Sequence, residues 1–80
     1  MDRARQRAHV QLGAVLREAR QAAGLTQRQL ATRLNRPPSH VGKIECGERR
    51  LYIDELPSYA RALGKEPAAL LTTIRTSLHI

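Results

Sequence analysis

The sequence predicts an all-α domain of five short helices. The chain of 80 residues has two tyrosines and neither phenylalanine nor tryptophan. Its core must therefore come from Leu, Ile, Val and Ala, which suits packed helices better than a sheet. Apolar residues recur at helical spacing in successive segments. Between these segments stand short breaks marked by glycine, proline or a capping residue.

The first helix is VQLGAVLREARQAA, residues 10–23, which sets Leu12, Val15, Leu16, Ala19 and Ala23 on one side. Gly24 follows at the position where a left-handed backbone closes a helix. Leu25 docks inward. Thr26 then caps a second helix, and Gln29 stands three residues on, the spacing of a capping box. That helix runs from Gln27 to Leu34, with Leu30, Ala31 and Leu34 inward and Asn35 closing it.

The third segment is NRPPSHVGKIECG, residues 35–47. Two prolines stand at its front, and Gly42 in its middle costs a helix roughly 1 kcal/mol relative to alanine. Proline is at ease in the first helical position, where its missing N–H would have had no partner. Pro37 is therefore expected as the cap and Pro38 as the first residue of a helix reaching about Cys46, closed by Gly47. Val41 and Ile44 face inward. Arg36 is held extended, because a residue before proline avoids the α region. The result is helix, short rigid turn, helix.

Residues 48–52 read as a basic loop. The fourth helix ends at Leu63, before Gly64. Its start is ambiguous because of Pro57: either Asp54 caps it and Pro57 sits in the first turn, or the helix is locally distorted. Pro67 opens the fifth helix, which runs to about Ser77 with Leu70, Leu71, Ile74 and Leu78 apolar. Residues 1–9 form a basic arm or an extension of the first helix, ahead of a domain spanning 10–80.

The net charge of +7 lies wholly in residues 1–50, which hold eleven basic against four acidic side chains; residues 51–80 are neutral. A basic half on a small domain points to a polyanion, most often nucleic acid. Arg3, Arg5 and Arg7 add charge at the N-terminus, either as a tail or along the first helix. No apolar run reaches the roughly 18 residues of a membrane span. MDRARQRAH lacks the apolar stretch of a secretory signal. A single cysteine, Cys46, allows no internal disulfide, so the expected location is the cytoplasm, on the nucleoid. His9, His40 and His79 are scattered and form no zinc spacing with Cys46, and no glycine-rich phosphate loop is present. Neither an enzyme nor a cofactor or metal is expected.

Read together, these pieces resemble the Cro/phage-repressor-type (XRE-like) helix-turn-helix family. The resemblance covers about residues 12–71. It is carried by Arg20, the GLTQ of 24–27, Leu30-Ala31, Val41-x-x-Ile44-Glu45-x-Gly47, the Glu48-Arg49-Arg50 loop and the ARALG of 60–64. It implies a compact five-helix, lambda-repressor-like DNA-binding domain whose third helix lies in the major groove. It further implies a structural ion pair between Arg20 and Glu45. By family position, Gln27, Arg28, Arg36, Arg49 and Arg50 meet phosphate. Pro38, Ser39, His40 and Lys43 occupy the base-reading positions. Pro38 cannot donate, and Gly42 carries no side chain, so DNA shape has a share in recognition.

The resemblance implies double-stranded DNA with an inverted-repeat operator as partner, and a homodimer. Leu71, Ile74, Leu78 and Ile80 around the fifth helix are the expected dimer contact. The function so implied is sequence-specific transcriptional regulation, as a repressor or autoregulator of the phage or restriction–modification controller kind. The alternative is an antitoxin-like or adaptor module that keeps the fold and uses the fifth helix to hold a protein.

Overall fold

Each helix begins and ends where its local chemistry directs. The computed structural model describes residues 3–79, and for residues 4–6 the backbone alone. The elements are α1 (Arg3–Ala22), α2 (Gln27–Arg33), α3 (Pro38–Glu45), a 3-10 turn (Ile53–Glu55), α4 (Leu56–Ala62) and α5 (Pro67–Leu78). No strand occurs among the described residues. α1 is continuous across residues 9 and 10, so Arg3 and Arg7 stand on its opening turns.

Thr26 caps α2 reciprocally with Gln29: the Gln29 amide donates to Thr26 Oγ1 at 3.0 Å, and the Thr26 amide donates to Gln29 Oε1 at 2.9 Å. α2 ends at Asn35 in a left-handed conformation, φ 56°. There the Arg36 amide reaches back to the Ala31 carbonyl at 3.0 Å. Asparagine tolerates this geometry better than most residues. α3 opens on Pro38 after the Pro37 cap and closes through Gly47, φ 84°. The Glu48 amide meets the Lys43 carbonyl at 2.9 Å, completing a Schellman closure.

The start of the fourth helix follows the distorted alternative, and Asp54 is not its cap. The chain enters through the 3-10 turn, with the Glu55 amide on the Tyr52 carbonyl at 2.9 Å. Glu55 Oε1 accepts the Tyr52 amide at 2.9 Å. The tighter turn places Pro57 in the first turn of α4, where its missing N–H breaks no bond.

All five helices close around one core. Leu16, Leu30, Val41, Ile44, Tyr59 and Leu70 are its most deeply buried large side chains. Tyr59 corrects the expectation of a wholly aliphatic core. Ile74, expected at the dimer contact, is buried in this core instead, and Leu78 packs against it. α5 turns both toward α1 because Leu70, Ile74 and Leu78 recur every four residues on one side. Arg33 Nη1 donates to the Ala62 carbonyl at 2.9 Å and so ties α2 to the end of α4.

Candidate nucleic-acid interface

The orientation of α3 is set from its buried side. Glu45, in its last turn, is 2% exposed. Arg20 of α1 grips it with a fork: Nε lies 2.6 Å from Oε2 and Nη2 lies 3.1 Å from Oε1. The third arm of the same guanidinium, Nη1, donates to the Leu25 carbonyl at 2.8 Å, fixing the α1–α2 connection. Gln27 Nε2 donates to Glu45 Oε1 at 3.0 Å. Three elements therefore meet on one carboxylate. Burial pushes the Glu45 carboxyl up, but the bonds from Arg20 and Gln27 outweigh it and hold it below its ordinary range. The bond to Glu45 in turn raises Arg20.

One glycine makes this junction possible, and a second lies beside it. A Cβ on Gly13 of α1 would stand 2.3 Å from the Glu45 carbonyl oxygen and 2.7 Å from that of Ile44. α1 and the end of α3 thus touch backbone to backbone at Gly13. Gly42 lies under the Gln27 side chain, where a Cβ would come 3.4 Å from Gln27 Oε1.

On the outer side, Pro38, Ser39 and Lys43 are exposed. Ser39 and Lys43 are four residues apart and share a face. His40 departs from this set. It is half-buried and lines a recess of about 220 Å³ with Arg36, Asp54, Glu55 and Ser58. Burial, together with Arg49 and Arg36, holds its imidazole below the usual value despite Glu55.

Of the expected phosphate contacts, Arg28, Arg36 and Arg50 are exposed. Gln27 is also exposed, but its amide N–H group is given to Glu45. Arg49 is half-buried and paired with Glu55, Nη1 at 3.0 Å from Oε1 and Nη2 at 3.1 Å from Oε2. Leu71 is 48% exposed. Ile80 lies outside the described residues, as does the Arg5 side chain.

Sequence reasoning missed Gly13, Arg17, Arg33 and Tyr59. Arg17 stands 3.5 Å from Glu45 Oε1, with its side chain half-exposed. The spacing of Arg17 and Arg20, three apart on one helix face, was the available signal. For Gly13 it was a glycine inside an otherwise regular helical pattern.

A family model described as a helix-turn-helix domain matches residues 11–72. Among solved structures, an XRE-family like protein from Pseudomonas syringae pv. tomato is 44% identical with a TM-score of 0.76, over 88% of this chain and 85% of that one. The restriction–modification controller protein C.AhdI from Aeromonas hydrophila is 39% identical with a TM-score of 0.69, over 76% of this chain and 92% of that one. Among curated proteins, an endothelial differentiation-related factor 1 homolog from Danio rerio is 36% identical over 74% of this chain. The chain spans 40% and 29% of the lengths of the curated relatives it matches.

Proposed function

The chain belongs to the XRE-like helix-turn-helix family, and we propose on that premise that it is a sequence-specific DNA-binding transcriptional regulator with α3 in the major groove. The observation that carries this reading is the division of labour on α3. Its inner side is locked through Glu45 to α1 and α2, while its outer side presents Ser39 and Lys43. Lys43 reaches guanine O6 or N7, and Ser39 a base edge or phosphate. Pro38 offers an apolar surface to a thymine methyl. Arg28, Arg36 and Arg50 surround this face and supply phosphate contacts.

The regulator acts as a homodimer on an inverted-repeat operator, since two-fold protein symmetry matches a two-fold site. The dimer surface is the apolar patch where Leu71 meets Tyr52 and Ile53, which are 48%, 57% and 78% exposed. With Leu12 and Leu51 they rim a recess of about 130 Å³ whose floor includes Ile74. This set keeps Leu71 from the surface expected around α5 and adds Tyr52 and Ile53 beside it. Repression or autoregulation from the cytoplasm is the regulatory mode. No helix among the described residues is long and apolar enough to cross a membrane.

The test is binding to a duplex from upstream of the chain's own gene, titrated over salt, beside a scrambled duplex. Lys43→Ala and Ser39→Ala are expected to erase the preference between the two while leaving the fold intact. Arg28→Ala and Arg36→Ala are expected to weaken both alike and lower the salt slope by about 0.9 each. Unchanged preference in both α3 variants would remove Ser39 and Lys43 from the reading.

A further inference from the structure

The loop after α3 carries two adjacent arginines, and the fold uses them differently. Arg49 donates both terminal nitrogens to Glu55, at 3.0 and 3.1 Å, and Nη1 also donates to the Arg50 carbonyl at 2.6 Å. Its guanidinium lies 5.7 Å from the centre of the Tyr52 ring. Its backbone amide meets the Lys43 carbonyl at 3.1 Å, so the same residue is tied to the last turn of α3. Glu55 completes the closure by accepting the Tyr52 amide at 2.9 Å. Arg50 is the opposite case. Its side chain is exposed and forms no ion pair among the described residues, while its carbonyl is held by Arg49.

We propose that Arg49 is a positioning residue, clasping Glu55 to hold the 46–52 loop, and that Arg50 alone of the two neutralises DNA phosphate. This rests on the DNA-binding reading above. For Arg49 to reach phosphate it would give up a two-pronged carboxylate bond, a carbonyl and an aromatic face. It would also leave Glu55 as an uncompensated negative charge near a polyanion. Burial pushes Glu55 up, yet the Arg49 fork and the Tyr52 amide outweigh it and hold it ionised below its ordinary range. A forked guanidinium fits this task, and an ammonium does not.

The two roles for Arg49 predict opposite signs for one substitution. If Arg49 is a phosphate ligand restrained by Glu55, Glu55→Gln frees it. If Arg49 is the clasp, Glu55→Gln loosens the loop although it removes a negative charge. The experiment measures affinity for the upstream duplex over a salt series, in the full chain, with thermal midpoints recorded for every variant. Glu55→Gln and Arg49→Lys are expected to weaken binding by a common factor at each salt concentration, with the slope unchanged. Arg50→Ala is expected to lower the slope by about 0.9. Tighter binding by Glu55→Gln with a slope raised by about 0.9 overturns the proposal. So does full affinity in Arg49→Lys, which keeps the charge without the fork. If the unaltered chain shows no salt-dependent DNA binding, the proposed function itself fails and this inference falls with it. Binding by the unaltered chain with the wrong sign in Glu55→Gln defeats this inference alone.

Discussion

Arg20 holds Glu45 across 25 residues of sequence, with contacts of 2.6 and 3.1 Å, and in doing so joins α1 to the last turn of the helix-turn-helix unit. Both side chains are nearly withdrawn from solvent. Desolvating two charges offsets much of their attraction, so the pair matters chiefly through what its loss leaves behind. Arg20→Ala strands a buried carboxylate and is expected to cost about 3–5 kcal/mol. Arg20→Met with Glu45→Leu removes both charges and is expected to cost markedly less. Denaturant titration of the three proteins measures this. A double variant as unstable as the single one would locate the loss elsewhere.

Acid is expected to unfold the domain through the same carboxylate. Glu45 is held below its ordinary value of 4.5 in the folded chain. Above that value both states are ionised and the stabilisation is complete. As pH falls through it, the unfolded chain takes up a proton that the folded one refuses, and stability is lost toward the folded value. Glu55 acts in the same direction. His40 adds a loss that starts below its ordinary 6.5, because its folded imidazole resists protonation. Thermal midpoints recorded between pH 7 and pH 3 test this. Glu45→Gln should reduce the loss below 4.5 to the share due to Glu55 and leave the change associated with His40.

Two glycine-to-alanine changes should differ in sign. At Gly13 the new Cβ would meet the Glu45 carbonyl at 2.3 Å, backbone that cannot yield without moving α1 from α3. Overpacking of this kind costs about 1–3 kcal/mol, against roughly 1 kcal/mol of gained helix propensity. A net loss is expected for Gly13→Ala. At Gly42 the nearest atom is the end of the Gln27 side chain at 3.4 Å, ordinary contact. Gly42→Ala is expected to stabilise the chain by about 0.5–1 kcal/mol. Urea midpoints decide both, and destabilisation at Gly42 would show that Gln27 has no room to shift.

Tyr59 is 1% exposed, and its hydroxyl has no hydrogen-bond partner among the described residues. Burial raises its phenol pKa, so the group stays neutral. A buried, unmade hydrogen bond costs about 1–3 kcal/mol. Tyr59→Phe is therefore expected to leave stability unchanged or to raise it. A loss of more than about 1 kcal/mol, read by calorimetry, would mean that the hydroxyl is bonded in solution.

Local chemistry made much of the fold legible. Thr26 with Gln29, Asn35 after Leu34, Pro38 at the head of α3 and Gly47 at its end each act over a few residues, and each works as its type suggests. Pro57 was the local exception: its sequence signal allows several entries to a helix. The 3-10 turn prevailed because Glu55 could reach back to the Tyr52 amide.

The sequence by itself determined the five helices, their order, the basic half and the exposure of Pro38, Ser39 and Lys43 on α3, though not the half-burial of His40. These depend on spacing, caps and charge, which are properties of neighbours in the chain. Tertiary structure alone decided how the site is held. The closeness of Gly13 to Glu45, the bridge of Gln27 over Gly42, the burial of Ile74 and the clasp of Arg49 on Glu55 all need elements brought together in space. An arginine has the same charge in the sequence whether it faces solvent or a carboxylate. Only the packing of the loop against the 3-10 turn separates Arg49 from Arg50.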